Sequence, residues 1–268
     1  MINEKSAEMA TNVIIKSIQM LNERNTKGLL STFHAPHIII GESETLIYHT
    51  AEELQSKYWQ DFYRRAGQDW DHTVIDWTEA IYATETKAHI FMQFSRYSKD
   101  DTLLTREKAL WVINKQNDVW AAQGRSNFGC SKGQEIFSIN KTTAQIAINI
   151  ITENINKLNE GNQQGLLDLF HIPHIRISES DMLVYNSREE LENEYLSDFY
   201  NRAGNDWHHT VLDWTEPIHA SDNKAHIFIQ WSRYTETNDL ITSQRSLWIV
   251  NDRNGRWGVQ ARSSFAPN

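Results

Sequence analysis

The stretch RAGQDWDHTVIDWTEAI, Arg65–Ile81, returns as RAGNDWHHTVLDWTEPI at Arg202–Ile218, a fixed 137 positions later. The same offset carries His34-Ala35-Pro36-His37-Ile38 onto His171-Ile172-Pro173-His174-Ile175, and Lys87-Ala88-His89-Ile90-Phe91 onto Lys224-Ala225-His226-Ile227-Phe228. The register holds without a gap from Ser6/Thr143 to Phe128/Phe265, and about half of the aligned positions are identical. A period this long is too large for a solenoid unit and is the size of a self-sufficient domain. The chain therefore reads as one domain written twice, residues 1–131 and 138–268. The connecting stretch from Gly129 to Asn140 could extend over roughly 40 Å. That is enough for the two copies to pack face to face as an intramolecular pseudo-dimer.

Within one copy, Met9, Val13, Ile14, Ile18 and Leu21 fall at helical spacing, so residues 7–23 are predicted to form an amphipathic helix. After the break at Asn25-Thr26-Lys27-Gly28, a short second helix is expected to run to Phe33 or His34, with Pro36 stopping it. Ile38–Ile40 and Thr45–Tyr48 read as short strands about a Gly-Glu-Ser-Glu turn. Thr50 followed by acidic residues is an N-cap, and Gly67 is a C-cap, for a third helix carrying Leu54, Tyr58, Phe62 and Tyr63. Four longer strands are expected at about 70–83, 87–98, 103–115 and 119–128. The fold class that follows is α+β: two tandem cone-shaped domains, each a curved, mainly antiparallel sheet wrapped around about three helices. Ile90-Phe91-Met92-Gln93-Phe94 is apolar on both faces, so both faces of the sheet are expected to be covered.

The bulk properties narrow the function classes. Hydrophobic residues make up 40% of the 268, and the 10 Trp, 9 Tyr and 10 Phe suffice for two cores. A net charge of −9 argues against general nucleic-acid binding, where a basic face supplies most of the affinity. It also argues against adsorption to anionic membranes. The one cysteine, Cys130, permits no intrachain disulfide and, with no His at hand, makes a poor nucleophile. No basic segment followed by an apolar core opens the sequence, and no apolar run approaches a membrane span. The expectation is a soluble, cytoplasmic protein.

The element order, with a Trp in the last strand of each copy (Trp120, Trp257), resembles the nuclear-transport-factor-2-like superfamily, and most closely its ketosteroid-isomerase and SnoaL-like polyketide-cyclase branches. The resemblance covers nearly the whole chain, twice. It implies a cone with a pocket in its open end, and dimerisation through the sheets, which a tandem chain would satisfy internally. Members include isomerases, cyclases, dehydratases, an epoxide hydrolase and non-catalytic binding proteins, so the fold does not select a function. The isomerase pattern needs a Tyr on the first helix. Residues 7–23 and 144–160 contain none, and that oxyanion mechanism is not carried over. A dehydratase-like site needs a His–Asp pair with tyrosines. His72, Asp76, His89, Tyr58 and Tyr63 supply the types, and His209, Asp213, His226, Tyr195 and Tyr200 repeat them. The epoxide-hydrolase arrangement of two aspartates about an arginine is matched loosely by Asp76 and Arg96.

The residues themselves leave alternatives open. His72 and Asp76, like His209 and Asp213, are four apart in a strand and so share a face. Such a pair suits general acid–base work, or hydrogen bonding within an inter-domain interface. His89, Phe91, Gln93, Ser95 and Tyr97 share one face, with Arg96 on the other. Arg96, Arg125, Arg233 and Arg262 could bind a carboxylate or an oxyanion, or make salt bridges, Arg96 with Glu79 or Asp76. His34-x-x-His37 and its repeat lack a further ligand at metal spacing and read as a helix-to-strand corner at the pocket edge. The recurring Trp70, Trp77, Trp111 and Trp120 suit core and interface packing, or the walls of an apolar site. The sequence thus predicts one apolar small-molecule pocket per copy, open to a small apolar or carboxylate-bearing ligand. It predicts no cofactor, metal, nucleic acid or membrane. Two functions fit: a binding protein that extends to a cofactor-free lyase, isomerase or hydrolase, or a structural or protein-interaction module with its pocket filled by aromatic side chains.

Overall fold

A computed structural model describes residues 2–42, 44–128, 139–178 and 181–265. Ser43 of the first turn, and Cys130 with the connecting stretch 129–138, lie outside them. The chain divides into two compact units, Met1–Glu135 and Ile136–Asn268.

Local chemistry sets each helix of unit 1. Helix α1, Glu4–Asn22, opens where the Asn3 side chain accepts the Ser6 N–H, and α2, Thr26–Leu30, opens where Asn25 accepts that of Gly28. Each cap satisfies a backbone donor that the first turn leaves free. The buried face of α1 is Ala10, Val13, Ile14, Ser17, Ile18 and Leu21, the stripe a half-buried helix needs. Helix α3, Ala51–Ala66, is capped by Thr50, and Glu53 reaches back to the His49 N–H at 2.7 Å. It ends on Gly67 at φ +91°, a left-handed conformation that a side chain would strain.

The strands of unit 1 are β1 (Phe33–Ile40), β2 (Thr45–Tyr48), β3 (His72–Ala83), β4 (Lys87–Tyr97), β5 (Leu103–Gln116) and β6 (Val119–Phe128). They form one sheet in the order β2-β1-β6-β5-β4-β3, antiparallel except where β1 runs parallel to β6. Register shifts at Ile75/Trp77, Ala80/Tyr82 and Val112/Ile113 mark bulges, which bend a sheet and increase its twist. Along β4, Ile90, Met92 and Phe94 join the core with Trp111 and Ile113 of β5, Val13 and Ile14 of α1, and Leu54 and Phe62 of α3. Burying each such side chain contributes about 1.5–3 kcal/mol. His89, Phe91, Gln93 and Ser95 alternate to the opposite face.

Unit 2 repeats the plan with α4 (Lys141–Asn159), α5 (Gln163–Leu167), β7 (Phe170–Ile177), β8 (Met182–Tyr185), α6 (Arg188–Ala203), β9 (His209–Ala220), β10 (Lys224–Tyr234), β11 (Leu240–Arg253) and β12 (Arg256–Ser264). Its sheet order is β8-β7-β12-β11-β10-β9. The α+β class and the two tandem cones are as expected from sequence. Among the described residues no helix is long and apolar enough to cross a membrane.

One local expectation is corrected. The second helix stops at Leu30, and His34 through His37 belong to β1 in place of a helix-to-strand corner. Pairing with β6 claims the segment: Phe33 lies opposite Ala122, and after a shift Ile38 lies opposite Gly124. Pro36, with no N–H to give a ladder, sits inside that shift. His34 and His37 each meet a backbone carbonyl, of Asn114 at 3.1 Å and of Ala122 at 3.0 Å.

Candidate functional site

In unit 2 the helix side of the sheet is not filled. A cavity of about 260 Å³ lies between α4, α6 and strands β7 and β9–β12, and four arginines line it: Arg176, Arg202, Arg233 and Arg262. Strand alternation aims three of them. Arg233 continues the face of Ile227, Ile229 and Trp231 along β10. Arg262 of β12 lies opposite Trp248 of β11, and Arg176 of β7 lies opposite Arg262. Arg202 comes from the last turn of α6.

Aromatic rings hold the guanidinium groups. Arg262 lies over Tyr195 at 5.1 Å and Trp248 at 5.6 Å, and Arg233 over Phe199 at 4.9 Å and Trp231 at 4.6 Å. These are cation–π distances. Arg233 also donates to the Arg202 carbonyl at 3.2 Å. No carboxylate forms an ion pair with any of the four among the described residues. Asp198, one turn before Arg202 on α6, is engaged by the Tyr185 hydroxyl at 2.6 Å. The buried Nε atoms of Arg202, Arg233 and Arg262, and Nδ2 of Asn154, have no hydrogen-bond partner within the protein. Buried donors are almost always satisfied; the matching Nε atoms of Arg96 and Arg125 in unit 1 also lack a partner within the protein, so these donors alone do not set unit 2 apart.

The electrostatics follow. Burial lowers the Arg176 pKa to about 9, with the charges of Arg262 and Arg202 adding to the effect. Burial, then Arg262 and Arg202, lowers that of Arg233 to about 10. Burial, then the charge of Arg262, lowers that of Arg202, and the nearby Asp198 carboxylate opposes the shift. Concentrated positive charge, held in a partly desolvated site with no ion pair to a carboxylate, favours an anion.

Unit 1 differs at matching positions. Arg65, Arg96 and Arg125 stand where unit 2 has Arg202, Arg233 and Arg262, but Ile39 replaces Arg176 and Glu107 replaces Gln244. Arg96 and Glu107, both largely buried, form an ion pair, which the sequence reading had sought with Glu79 or Asp76. Arg125 lies over Trp111 at 5.0 Å. Arg65 donates to the Asp61 carbonyl at 3.1 Å.

The expected His–Asp pairs are not formed. The partner of His72 is Asp71, at 3.1 Å, and its ring stacks on Tyr97. Asp76 accepts from Gln93 and Ser95, both at 2.9 Å. His209 meets His208 at 3.1 Å and stacks on Tyr234. Asp213 accepts from Ser232 at 2.6 Å. Each pair shares a face as expected, but four residues along a strand set the two side chains roughly 13 Å apart, too far to meet. All four side chains lie on the sheet face opposite the helices, as do His89 and His226, which are fully buried. Tyr63 packs against Trp59 and Trp70, Tyr58 is core, and Tyr200 is 48% exposed. Of the residues expected to bind a ligand, Arg233 and Arg262 line the cavity, and Tyr195 supports Arg262. The cavity combines the expected apolar walls, Ile155, Leu158, Phe199, Trp231 and Trp248, with four arginines that the sequence reading did not bring together. Arg176 and Arg202 were missed. The signal for Arg176 was a charge interrupting an apolar strand where the other copy has Ile39.

A family profile described as NTF2-like protein (DUF6841) matches residues 14–122. The match lies within the first unit, whose element order and sheet order the second unit repeats. Solved structures resemble about half of the chain at a time. An NTF2-like protein of unknown function from Shewanella oneidensis MR-1 is 13% identical, over 46% of this chain and 98% of its own, with a TM-score of 0.38. A cystatin-like protein of unknown function from Nostoc punctiforme is 13% identical, over 51% and 98%, with a TM-score of 0.40. A ketosteroid isomerase-like protein from Erwinia carotovora is 16% identical, over 48% and 98%, with a TM-score of 0.37. A search of curated proteins gives no match.

Proposed function

We propose that the chain is a small-molecule-binding protein whose second NTF2-like unit takes a small organic or inorganic anion of at least two negative charges. The observation that carries this reading is the set of four arginines around one cavity whose lining, among the described residues, includes no carboxylate. Guanidinium groups bind carboxylate and phosphate oxygens through paired N–H donors, and do so more strongly away from water. The volume of about 260 Å³ is below the roughly 300–1,000 Å³ of sites for drug-sized molecules, which points to a compact ligand. Phe199, Trp231 and Trp248 supply apolar walls for its body.

Binding is favoured over catalysis. The described residues that line the cavity include no Asp, Glu, His, Cys, Lys or Tyr. General acid–base work needs a group whose pKa lies near the working pH. The arginines can hold an oxyanion but cannot relay a proton at neutral pH.

Thermal-shift and calorimetric titration of the full chain with malonate, pyrophosphate, benzoate and a neutral steroid tests the proposal. Malonate or pyrophosphate should raise the midpoint, by about 2.7 kcal/mol of stabilisation at a hundredfold excess over Kd. The two together separate carboxylate from phosphate recognition. Stabilisation by the steroid alone would return the site to the apolar reading.

A further inference from the structure

We infer that the two copies have divided their roles: unit 2 takes the anion, and unit 1 does not, because Glu107 is already the anion of unit 1. This rests on the anion-binding reading of unit 2 and adds which residues restrict it to one copy.

The arginine positions of the two units are nearly the same. Arg65, Arg96 and Arg125 correspond to Arg202, Arg233 and Arg262 at the constant offset. Two interior substitutions then shift the balance in one direction. Glu107 becomes Gln244, which removes a negative charge, and Ile39 becomes Arg176, which adds a positive one. Of the three arginines of unit 1 one is ion-paired, to Glu107; of the four in unit 2 none is, among the described residues.

The Glu107 carboxylate occupies its role fully. It pairs with Arg96, accepts from Thr105 Oγ1 at 3.2 Å and lies 3.4 Å from Asn127 Nδ2. A ligand anion entering unit 1 would have to face that carboxylate or displace it. Displacement leaves a buried charge without its partner, which is strongly unfavourable. Gln244 has nearly the shape of Glu107, so at this position the copies differ in charge and not in size. Its amide donates to Thr242 Oγ1 at 3.0 Å and makes no bond to Arg233. The arginines of unit 2 are therefore left to the ligand, and Arg176 extends their reach to β7.

Calorimetric titration of the full chain with malonate, and in parallel with pyrophosphate, reads the number of sites. Wild type should bind one anion per chain. Arg262→Gln and Gln244→Glu should each weaken that site about tenfold or more, since like charges brought together in a buried site are strongly penalised. Arg125→Gln, the matching change in unit 1, should leave it within twofold. The paired change Ile39→Arg with Glu107→Gln gives unit 1 the complement of unit 2 and should create a second site. If that chain does not fold, the Arg125/Arg262 comparison and Gln244→Glu decide the matter. Two equivalent sites in wild type, or equal losses from Arg125→Gln and Arg262→Gln, would leave the anion reading standing and overturn the division of roles. A folded wild-type chain that binds neither probe removes the anion reading itself, and this inference with it.

Discussion

Arg176 and Arg262 lie directly opposite each other across the parallel pair of β7 and β12, and Trp248 continues the same row on β11. Like charges opposed in a sheet are destabilising by about 0.2–1 kcal/mol, and here Arg176 is buried and Arg262 half-buried. In unit 1 the row is Ile39, Arg125 and Trp111, with no such conflict. A repulsive pair retained beside a cavity is a stability cost that a bound anion would offset.

Arg176→Ile, which installs the residue of the other copy, should therefore stabilise the ligand-free protein. The expected gain is on the order of 1 kcal/mol in the unfolding transition of unit 2. Malonate affinity should fall at the same time. Urea unfolding with and without malonate checks both; a variant less stable than wild type in the absence of ligand would contradict the strain argument.

Breaking the ion pair in unit 1 should be costly. Glu107→Ala leaves Arg96 buried and unpaired and should destabilise unit 1 by about 3–5 kcal/mol. Gln244→Ala at the matching position removes no charge partner and should cost less than about 1 kcal/mol. Comparing the denaturant midpoints of the two variants tests whether the copies differ as their interiors imply.

Acid should unfold the protein through its buried histidines. Burial first, then the charge of Arg125, lowers the His37 pKa to about 3, and burial lowers that of His171 to about 4. His89, His174 and His226 are also fully buried. A histidine held neutral in the fold binds its proton more readily when unfolded, at about 6.5. The unfolded state therefore carries more protons between that value and the folded pKa, so stability rises with pH across the window and is lost on acidification. For His37 this amounts to several kcal/mol between about pH 6.5 and pH 3. Urea midpoints over that range should fall, and His37→Phe should flatten the slope.

Anion affinity should weaken in the alkaline range. With Arg176 near 9 and Arg233 near 10, raising the pH through these values removes the cationic forms that a carboxylate or phosphate requires. Both groups sit below their ordinary value in the fold. The folded state itself should thus gain stability as pH rises through the same interval. Calorimetry with malonate at pH 7, 9 and 10 separates the two trends; an affinity constant across that range would show that Arg176 and Arg233 keep their charge through it.

Much of the fold was legible because its signals are local or periodic. The offset of 137 between copies, the Thr50 cap, Gly67, and the alternation that sets Arg96 against His89 are all properties of neighbouring residues. Alternation also marked Arg96 and Arg233 as facing away from His89 and His226. It could not say which of the two faces the helices cover, and so the His–Asp pairs were as plausible as the arginines.

Sequence alone determined that there are two copies, of which class, and which side chains of each strand share a face, because a strand's period of two residues is written along the chain. Only the tertiary structure decided that Arg176, Arg202, Arg233 and Arg262 meet around one cavity, and that Glu107 answers Arg96 in the other copy. Those meetings depend on the parallel pairing of β7 with β12 and on bulges such as the one at Ile249/Val250. Register between strands distant in sequence is set by how the whole sheet packs onto its helices, and no local pattern carries it.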